Sequence, residues 1–483
     1  MSQAASLSAP NVSDRIGSAA QGGSAPTAAT RYLAAGAYLD ATFRAQVLSL
    51  MDDEYRARAP EPGIDPECVV RHCRTALARK AWRDALLCAP LAYMHWTLFP
   101  LLPLLSINPD YIPVALAAYW LPIVATWFAA SGIVFGESFL TEILTLTYRL
   151  SARDFEQPQP VPQNAQLDTA NVVAYGAFSP FVGSGYDLAG WSFAVNLEQR
   201  MPGRETAPDA FQVTELYDAL RKGFERLEIG GLKVADRLYV DGKAIRDDNR
   251  FLPATLARPV SRVTTAILAP FISSPGKTVR HYLSLEIQDW SGQLVLSTFI
   301  RLQKTQSKLF AEMSSFLLPP LKGSYYAIDG RSRSRVVGQT LGLFLSAFVQ
   351  SPFLLVLAPF RTAGRIWTPV RRLSERSQKR KEIRNNPLYN YGALTSIRQL
   401  GTENTWRVYF QKLDKEMHTK IIQQQLLDVL TDFLADHGID VSEIKERGSF
   451  ILNNGVMVSG GLIQAEGLAV GQGAQAKVSK RSQ

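Results

Sequence analysis

The sequence of 483 residues is poor in the residue types that build covalent or metal-held sites, with three cysteines and five histidines. The cysteines lie close together at Cys68, Cys73 and Cys88. An odd, clustered set of this kind argues against a secreted disulfide framework and predicts free thiols facing a reducing compartment. The histidines are scattered without the spacing of metal ligands, so we expect no metal site and no cofactor.

Motifs of the common enzyme classes are also missing. The chain has no Gly-x-Ser-x-Gly, no His-Glu-x-x-His and no kinase motif set, and no pair of carboxylates stands out. The sequence therefore argues against catalysis and predicts no catalytic residues.

The start of the chain lacks the apolar core of a signal peptide. Residues 1–32 are rich in Ser, Ala and Gly, which predicts a disordered leader. Apolar residues then recur at three- and four-residue spacing over 33–85, which predicts juxtamembrane helices.

Two long stretches carry no Asp, Glu, Lys or Arg: Leu86–Ile107 over 22 residues and Tyr111–Phe135 over 25. Each exceeds the ~20 residues that a helix needs to cross a bilayer, and an Asn-Pro-Asp turn separates them. They predict a transmembrane helical hairpin over 86–135, with a buried soluble hairpin as the alternative. Positive charge at both outer ends places the bulk of the chain in the cytoplasm, at the inner membrane. A juxtamembrane helix and linker are expected over 136–163.

A third uncharged stretch, Val336–Phe360, is 25 residues long and has basic residues on both sides. A single crossing would export one basic flank, against the positive-inside bias. A turn at Gln350, Ser351 and Pro352 would instead let the stretch enter the bilayer and return on the same side. Both interpretations, a re-entrant and a spanning segment, stay open.

A basic segment follows over 361–384, with nine Arg or Lys residues against two Glu. Its mixture of cationic and apolar residues is typical of an interfacial anchor on anionic lipid. A nucleic-acid arm is the alternative, and the adjacent hydrophobic stretch argues against it. The residues assigned to lipid are Arg361, Arg365, Trp367, Arg371, Arg372, Lys379, Arg380 and Lys381.

The region between the hydrophobic stretches predicts a cytoplasmic α+β domain over 164–327, so the fold class is a membrane-anchored α+β protein. Asp241-Gly242 predicts the turn of a hairpin, and "DWSG" predicts a turn between two further strands. His281, with Lys277 and Arg280, is expected at the solvated edge of a strand or facing an anion.

A glycine-rich loop with Gly176, Gly183 and Gly185 follows the first predicted strand. It is a possible phosphate loop, although it lacks the lysine of a P-loop and the spacing of a dinucleotide fingerprint. The alternative is a connecting loop whose glycines permit positive φ.

After a linker over 385–405, the residues 406–448 predict an amphipathic helical region. Its apolar stripe must be buried against another surface. Packing on the chain's own domain and self-association as a short coiled coil are both open.

The last segment, 449–478, repeats glycine every six residues, each followed by an apolar residue. Such hexads predict short β-arcs that stack into a repeat, and one copy is too short to bury a core alone. We therefore expect cross-β pairing between chains, with a disordered tail as the alternative. The predicted assembly residues are Gly455, Val456, Gly461, Leu462, Ile463, Gln464, Gly467, Leu468, Val470 and Gly473.

This tail resembles the amyloid-signalling tails of bacterial innate-immunity proteins, which are similar to the RHIM motifs of necroptosis. The residues that carry the resemblance are Asn453, Asn454, Gly455, Val456, Val458, Gly461, Ile463, Gln464, Gly467, Val470 and Gly471. The resemblance implies homo-oligomers or a partner with a similar tail, and a role in signalling or defence.

The hypothesis from the sequence is a non-enzymatic inner-membrane signalling or scaffold protein that assembles through its β-repeat tail. The alternative is a membrane-bound nucleotide or phosphate sensor, or an enzyme, that uses the 164–327 domain. Membrane lipid and a like tail are the expected partners, and nucleic acid is not.

Overall fold

The computed structural model of the protein describes residues 27–99, 112–151, 170–274, 276–331 and 333–454. The helices are α1 Ala28–Leu39, α2 Ala41–Asp52, α3 Pro66–Leu98, α4 Ile112–Phe139, α5 Val213–Glu225, α6 Thr265–Ser273, α7 Val336–Asn385, α8 Ile397–Leu400, α9 Tyr409–Asp436 and α10 Ser442–Asn454. The strands are β1 Val172–Tyr175, β2 Tyr186–Asn196, β3 Leu232–Asp241, β4 Val279–Asp289, β5 Leu294–Lys304 and β6 Lys308–Leu318. The predicted α+β class is confirmed.

The strands form one six-stranded sheet in the order β1-β3-β4-β5-β6-β2. Only β1 and β3 are parallel, and the other neighbours are antiparallel. The "DWSG" turn joins β4 to β5 as predicted. The hairpin predicted at Asp241-Gly242 is wrong: β3 ends at Asp241, and its ladder partners are β1 and β4, which contribute residues from distant parts of the chain.

Helices cover one face of the sheet. The apolar stripe of α5 packs on this face together with α9 and α10, and the shared core includes Leu216, Leu220, Leu285, Leu426 and Leu430. The C-terminal part of the stripe predicted over 406–448, Leu427, Leu430 and Leu434, is buried in this core, whereas its first members Leu413 and Met417 are exposed.

The loop between β1 and β2 covers part of the opposite face. Phe181 from this loop stacks on Phe299 with ring centroids 4.2 Å apart, and Tyr239, Tyr282 and Phe316 surround it. Aromatic stacking of this kind adds to the burial of the rings and fixes the loop over the sheet.

The N-terminal helices form a second core beside the sheet. Tyr325 packs so closely on α1 that a Cβ at Gly36 would lie 2.8 Å from its ring, and its hydroxyl donates to Asp40. Helix α1 begins at Ala28, inside the segment predicted as a disordered leader, because the Thr27 side chain caps its first turn.

Helices α3, α4 and α7 pack together into a third unit, and α4 continues into a π-helix over Leu140–Arg149. Two stretches here, Tyr119–Arg149 and Arg333–Asn385, are long and apolar enough to cross a membrane by length and composition. Residues 100–111, which hold the predicted turn of the transmembrane hairpin, lie outside the described part of the chain.

Helix α7 folds back on itself, so that Arg365 lies near the same end of the α3–α4 pair as Arg331. Arg331, just before it, pairs with Glu142, whereas Arg365, 34 residues later, donates to the carbonyl of Lys80 at 3.2 Å. Arg79, next to Lys80, donates to the carbonyl of Leu140, two residues from Glu142. Because an uninterrupted helix advances about 1.5 Å per residue, these contacts require a sharp bend between them.

The bend lies at Pro352. Proline has no N–H for the carbonyl of Phe348 four residues earlier. That carbonyl instead accepts a hydrogen bond of 2.9 Å from Trp127 Nε1, and Ser351 Oγ lies 2.9 Å from Ser131 Oγ. The helix can therefore reverse among apolar neighbours without leaving the freed carbonyl unpaired.

Candidate functional site

A buried carboxylate holds the α3–α4–α7 unit together. Asp84 is fully buried, and its two oxygens lie 2.7 Å from Arg83 and 2.8 Å from Arg365. Arg83 also reaches Glu137 on α4 at 3.5 Å. A buried charge needs partners of opposite sign. We call Asp84 with Arg83 and Arg365 the ion-pair node. It fixes where the C-terminal arm of α7, residues 361–385, leaves the α3–α4–α7 unit.

An acidic segment at the end of α2 binds the next part of α7. Asp52 pairs with Arg372 at 3.1 Å, Asp53 with Lys379 at 2.6 Å, and Glu54 with Arg376 at 2.7 Å. These contacts form an acidic clamp over residues 52–55, which Tyr55 completes by accepting a hydrogen bond from Arg380.

The contacts of the clamp determine the ionisation of the Asp53 carboxyl. Burial alone would raise the pKa of the Asp53 carboxyl, but the hydrogen bonds from Lys379 and the Tyr55 amide lower it below its usual value. The carboxylate therefore stays ionised at neutral pH and keeps its attraction for the arm.

Between the node and the clamp lies a groove of about 810 Å³, which we call the arginine groove. Helices α2, α3 and α7 form its walls. The lining residues are Leu48, Asp52, Arg74, Leu77, Ala78, Ala81, Arg365, Thr368, Pro369, Arg372, Leu373 and Arg376. Four guanidinium groups and one carboxylate thus share the groove with apolar side chains.

The four arginines of the groove differ in what they already contact. Arg365, Arg372 and Arg376 each have a carboxylate partner. Arg74 makes no ion pair within the described ranges. The pairs of Arg372 and Arg376 are about half exposed, and exposed ion pairs are weak, so an anionic ligand can compete for both groups.

A second cavity, of about 490 Å³, lies on the other side of Arg74. Glu61 lines it and accepts the backbone N–H groups of Ile397 and Arg398. Burial raises the pKa of Glu61 to about 8, against the effect of those two amides, and lowers the pKa of the fully buried Arg398 to about 10. Three carbonyl oxygens accept from Arg398 Nη2, which anchors the segment predicted as a linker.

The predicted lipid residues separate into two groups. Four of them contact the acidic clamp or the node: Arg365, Arg372, Lys379 and Arg380. The other four are exposed and contact neither. The exposed members are Arg361, Trp367, Arg371 and Lys381. Contact of either group with lipid stays a prediction.

The glycines of the possible phosphate loop lie against backbone. Gly183 and Gly185 have φ of +90° and +93°, and a Cβ at Gly185 would lie 2.1 Å from the carbonyl oxygen of Leu317. The amide of Gly176 donates to the carbonyl of Ala393. Positive φ and close backbone approach explain these glycines without a ligand, and phosphate binding at this loop stays a prediction.

Two further expectations concern the histidines and the tail. His281 is buried, not at a solvated edge, because Asp236 binds its Nε2 at 2.9 Å and Tyr217 packs edge-on against its ring. Within the described ranges no three His, Cys, Asp or Glu side chains form a metal-binding group. The assembly residues from Gly455 to Gly473 lie outside the part of the chain that the structure describes.

The sequence analysis missed the partners of the basic segment. Asp52, Asp53 and Glu54 stand in one acidic run, and Asp84 lies at the edge of an apolar stretch beside Arg83. Such an acidic run is a signal that could have been paired with the basic segment. Nothing in the sequence, however, places two segments more than 300 residues apart on the same surface.

The profile of the AbeC-like domain family matches residues 190–464, more than half of the chain. The matched part contains the sheet from β2 onward, the long helix α7 and the C-terminal helices. No curated protein and no solved structure is detectably similar to the chain.

Proposed function

The chain belongs to the AbeC-like domain family, and on this premise we propose that it is a non-enzymatic membrane protein that holds its α+β domain at the membrane surface for signalling or scaffolding. The single observation that carries the proposal is the outer surface of the α3–α4–α7 unit, on which many large apolar side chains are exposed.

The interior of this unit contains both apolar and polar side chains. Its buried apolar cluster consists of Leu87, Ala130, Val134, Ala347, Leu355 and Ala358. Asp84, Thr126, Ser131 and Ser351 are buried as well, each at most 2% exposed. The outer surface carries Trp96, Trp120, Leu121, Phe128, Leu345, Phe353 and Phe360, each more than half exposed. Exposed apolar side chains on this scale are unfavourable in water and mark a membrane or partner surface, and the length of the helices favours the membrane.

We further propose that the apolar part of α7 is re-entrant. The bend at Pro352 and the return of Arg365 to the level of Arg331 support this topology over a full span. Both basic flanks of α7 then lie on the same side as the α+β domain, in agreement with the positive-inside bias. On this proposal the domain is cytoplasmic and the membrane is the inner membrane.

Cysteine labelling in intact cells tests the topology. In a variant without the native cysteines, single cysteines replace Ser13, Pro109 or Ser479. An impermeant thiol reagent should label only the cysteine at position 109, which lies between the first two apolar stretches. Labelling at 479 but not at 13 would show that α7 spans the membrane. Recovery of the chain in the soluble fraction would contradict the membrane proposal itself.

The β-repeat tail supplies the proposed means of assembly. Stacked copies would place Leu462 and Leu468 in a dry interior, with Gly461 and Gly467 at corners that need positive φ. The resemblance of the tail to amyloid-signalling motifs supports this part of the proposal and suggests a defence role.

Assembly is tested on the full chain in detergent. Gly461→Val combined with Gly467→Val should abolish thioflavin-positive, sedimenting assemblies, because β-branched residues tolerate positive φ badly. Gln472→Ser, at a presumed exterior position, is the control and should leave them intact. A full chain that stays unassembled with and without cell extract would contradict the proposal.

The rival function, a sensor of nucleotide or phosphate in the α+β domain, has less support. A backbone carbonyl oxygen lies close to each of Gly183 and Gly185. Because a carbonyl oxygen repels an anion, this loop is unsuited to hold a phosphate. Thermal stabilisation of the chain by a nucleotide would favour the rival.

A further inference from the structure

We propose that the arginine groove between α2, α3 and the C-terminal arm of α7 binds one anionic phospholipid, with its phosphate at Arg74, Arg372 and Arg376. The inference rests on the proposed membrane location, which it deepens by naming a bound partner and a defined site.

The groove points toward the apolar layer. Along α3 its lining runs from Arg74 to Ala81, and the uncharged stretch of α3 begins five residues later, at Leu86. The α7 wall runs in the opposite sense, from Arg376 back to Arg365, and the uncharged stretch of α7 ends at Phe360. Both walls therefore descend from a basic end into the apolar part of the helix cluster.

Exposed apolar side chains mark this path. Trp82 on α3 and Trp367 on α7 are about 70% exposed, as is typical of tryptophan at the boundary between lipid and water. Further from the apolar layer, Leu77 and Leu373 are still exposed. Arg74 and Arg376 each lie three residues beyond one of these leucines, about one helical turn, where a lipid chain lying on the leucines would end in its phosphate.

Charge identifies the lipid class. The basic end presents Arg74, which makes no ion pair in the described part of the chain, and two arginines whose partners Asp52 and Glu54 are themselves exposed. Guanidinium groups bind phosphate through paired hydrogen bonds. A zwitterionic lipid would bring its own cation into a site that already holds four, so an anionic headgroup is favoured.

Apolar side chains complete the site. Leu48, Leu77, Ala78, Ala81 and Leu373 line the wall between the arginines and the apolar layer. A soluble phosphate compound would leave this wall in water, whereas an acyl chain would cover it. The shape and the charge together favour a lipid over a free phosphate.

The test uses the full chain, purified in detergent and stripped of lipid. Native mass spectrometry measures binding of dioleoyl phosphatidylglycerol, dioleoyl phosphatidylcholine and soluble glycerol phosphate. We expect one retained phosphatidylglycerol per chain, and Arg74→Gln with Arg376→Gln should weaken its binding about tenfold. The matched control, Arg226→Gln with Arg262→Gln, removes the same charge from exposed positions of the α+β domain and should change binding less than about twofold.

Three outcomes would overturn the inference. Equal losses in the groove and control variants would mean diffuse attraction to a basic surface. Equal binding of the two lipids would exclude recognition of the headgroup charge, and glycerol phosphate binding as tightly as lipid would make the site one for a soluble anion. If the glutamine variant fails to fold, Leu77→Gln, which keeps every charge, should weaken lipid binding but not glycerol phosphate binding.

This result is separable from the membrane proposal. Groove variants that stay in the membrane fraction but bind phosphatidylglycerol normally contradict only the groove. A wild-type chain that leaves the membrane in high salt contradicts the membrane proposal instead.

Discussion

The sheet domain and the α3–α4–α7 unit differ in where their large apolar side chains lie. Against the sheet, leucines such as Leu216 and Leu430 are removed from water. In the helix unit Leu87 is buried beside Asp84 and Ser131, but many large apolar side chains are exposed on the outer surface. The difference teaches that one chain hides its large apolar side chains in one region and exposes them in another, as the proposed membrane contact of the helix unit requires.

The two regions also satisfy their polar groups differently. The sheet pairs its backbone strand to strand, so most of its hydrogen bonds are local to the ladder. The helix unit has to supply side chains where proline breaks the helix, as Trp127 does for the carbonyl of Phe348. Removing a polar side chain should therefore cost more in the helix unit, and removing an apolar one should cost more against the sheet.

The largest expected effect is at the ion-pair node. Asp84→Ala leaves Arg83 and Arg365 without their shared carboxylate inside the helix unit. Loss of one partner of a buried ion pair costs about 3–5 kcal/mol in the free energy of unfolding. Denaturation of the purified protein in detergent measures the change.

The control for Asp84 is Glu375→Ala, which breaks the exposed pair with Arg371. Exposed pairs contribute about 0–1 kcal/mol, so this variant should melt close to wild type. Similar losses in both variants would show that Asp84 is not the centre of the unit.

A matched pair of leucines gives the next largest effect. Leu430 is 1% exposed against the sheet, and Leu345 is 58% exposed on α7. Leu430→Ala should lower the free energy of unfolding by about 2–5 kcal/mol, because it leaves a cavity in a packed core. Leu345→Ala should cost less than about 1 kcal/mol, because a side chain that faces lipid leaves no cavity.

Thermal melts in the same detergent compare the two leucine variants. A reversed order would mean that the outer surface of α7 is packed against a protein rather than lipid. A third variant, Leu345→Asp, sharpens the comparison, since a charge on a lipid-facing surface should reduce recovery of the protein in the membrane fraction.

The smallest effect concerns the acidic clamp, which lies between the two regions. The pKa of Asp53 is lowered in the folded state from an ordinary value of 3.8. Its contribution to stability is therefore present above pH 3.8 and is lost as the pH falls through the lower, folded pKa. We expect the contact with Lys379 to weaken in that acidic range, with an effect of about 1 kcal/mol.

In a variant whose other seven tryptophans are replaced by phenylalanine, fluorescence of Trp367, which lies on the same helical arm, can report release of the clamp as the pH is lowered. Asp53→Asn should remove most of the acid-dependent change while leaving the arm partly attached through Asp52 and Glu54. A change of equal size in wild type and variant would assign the pH dependence to another group.

Parts of this architecture could be predicted because they depend on local patterns. The β4–β5 turn at "DWSG", the amphipathic stripe of α5 and the uncharged stretch of α7 were all identified from spacing and composition. The hairpin at Asp241-Gly242 was wrong for a complementary reason. Asp-Gly favours a tight turn, but β3 obtains its pairing from distant strands, and tertiary pairing overrides a local turn preference.

The candidate site also has features that could be predicted from the sequence and features that could not. The basic character of 361–384 and its closeness to an apolar stretch are sequence properties, and they suggested lipid from the start. The groove itself required Arg74 and Leu77 of α3 to face Arg376 and Leu373 of α7, residues about 300 positions apart. No periodicity reports which helix face meets which.

The sequence by itself determined the long uncharged stretches of the chain, its α+β class and its basic segment, because composition and periodicity decide which surfaces avoid water. Only the tertiary structure decided that α7 bends back at Pro352, that the acidic clamp of residues 52–55 binds four of the nine basic residues of 361–384, and that two of those four also line a groove with Arg74. Those outcomes depend on contacts between distant residues, and such contacts are set by how the helices pack rather than by any local preference.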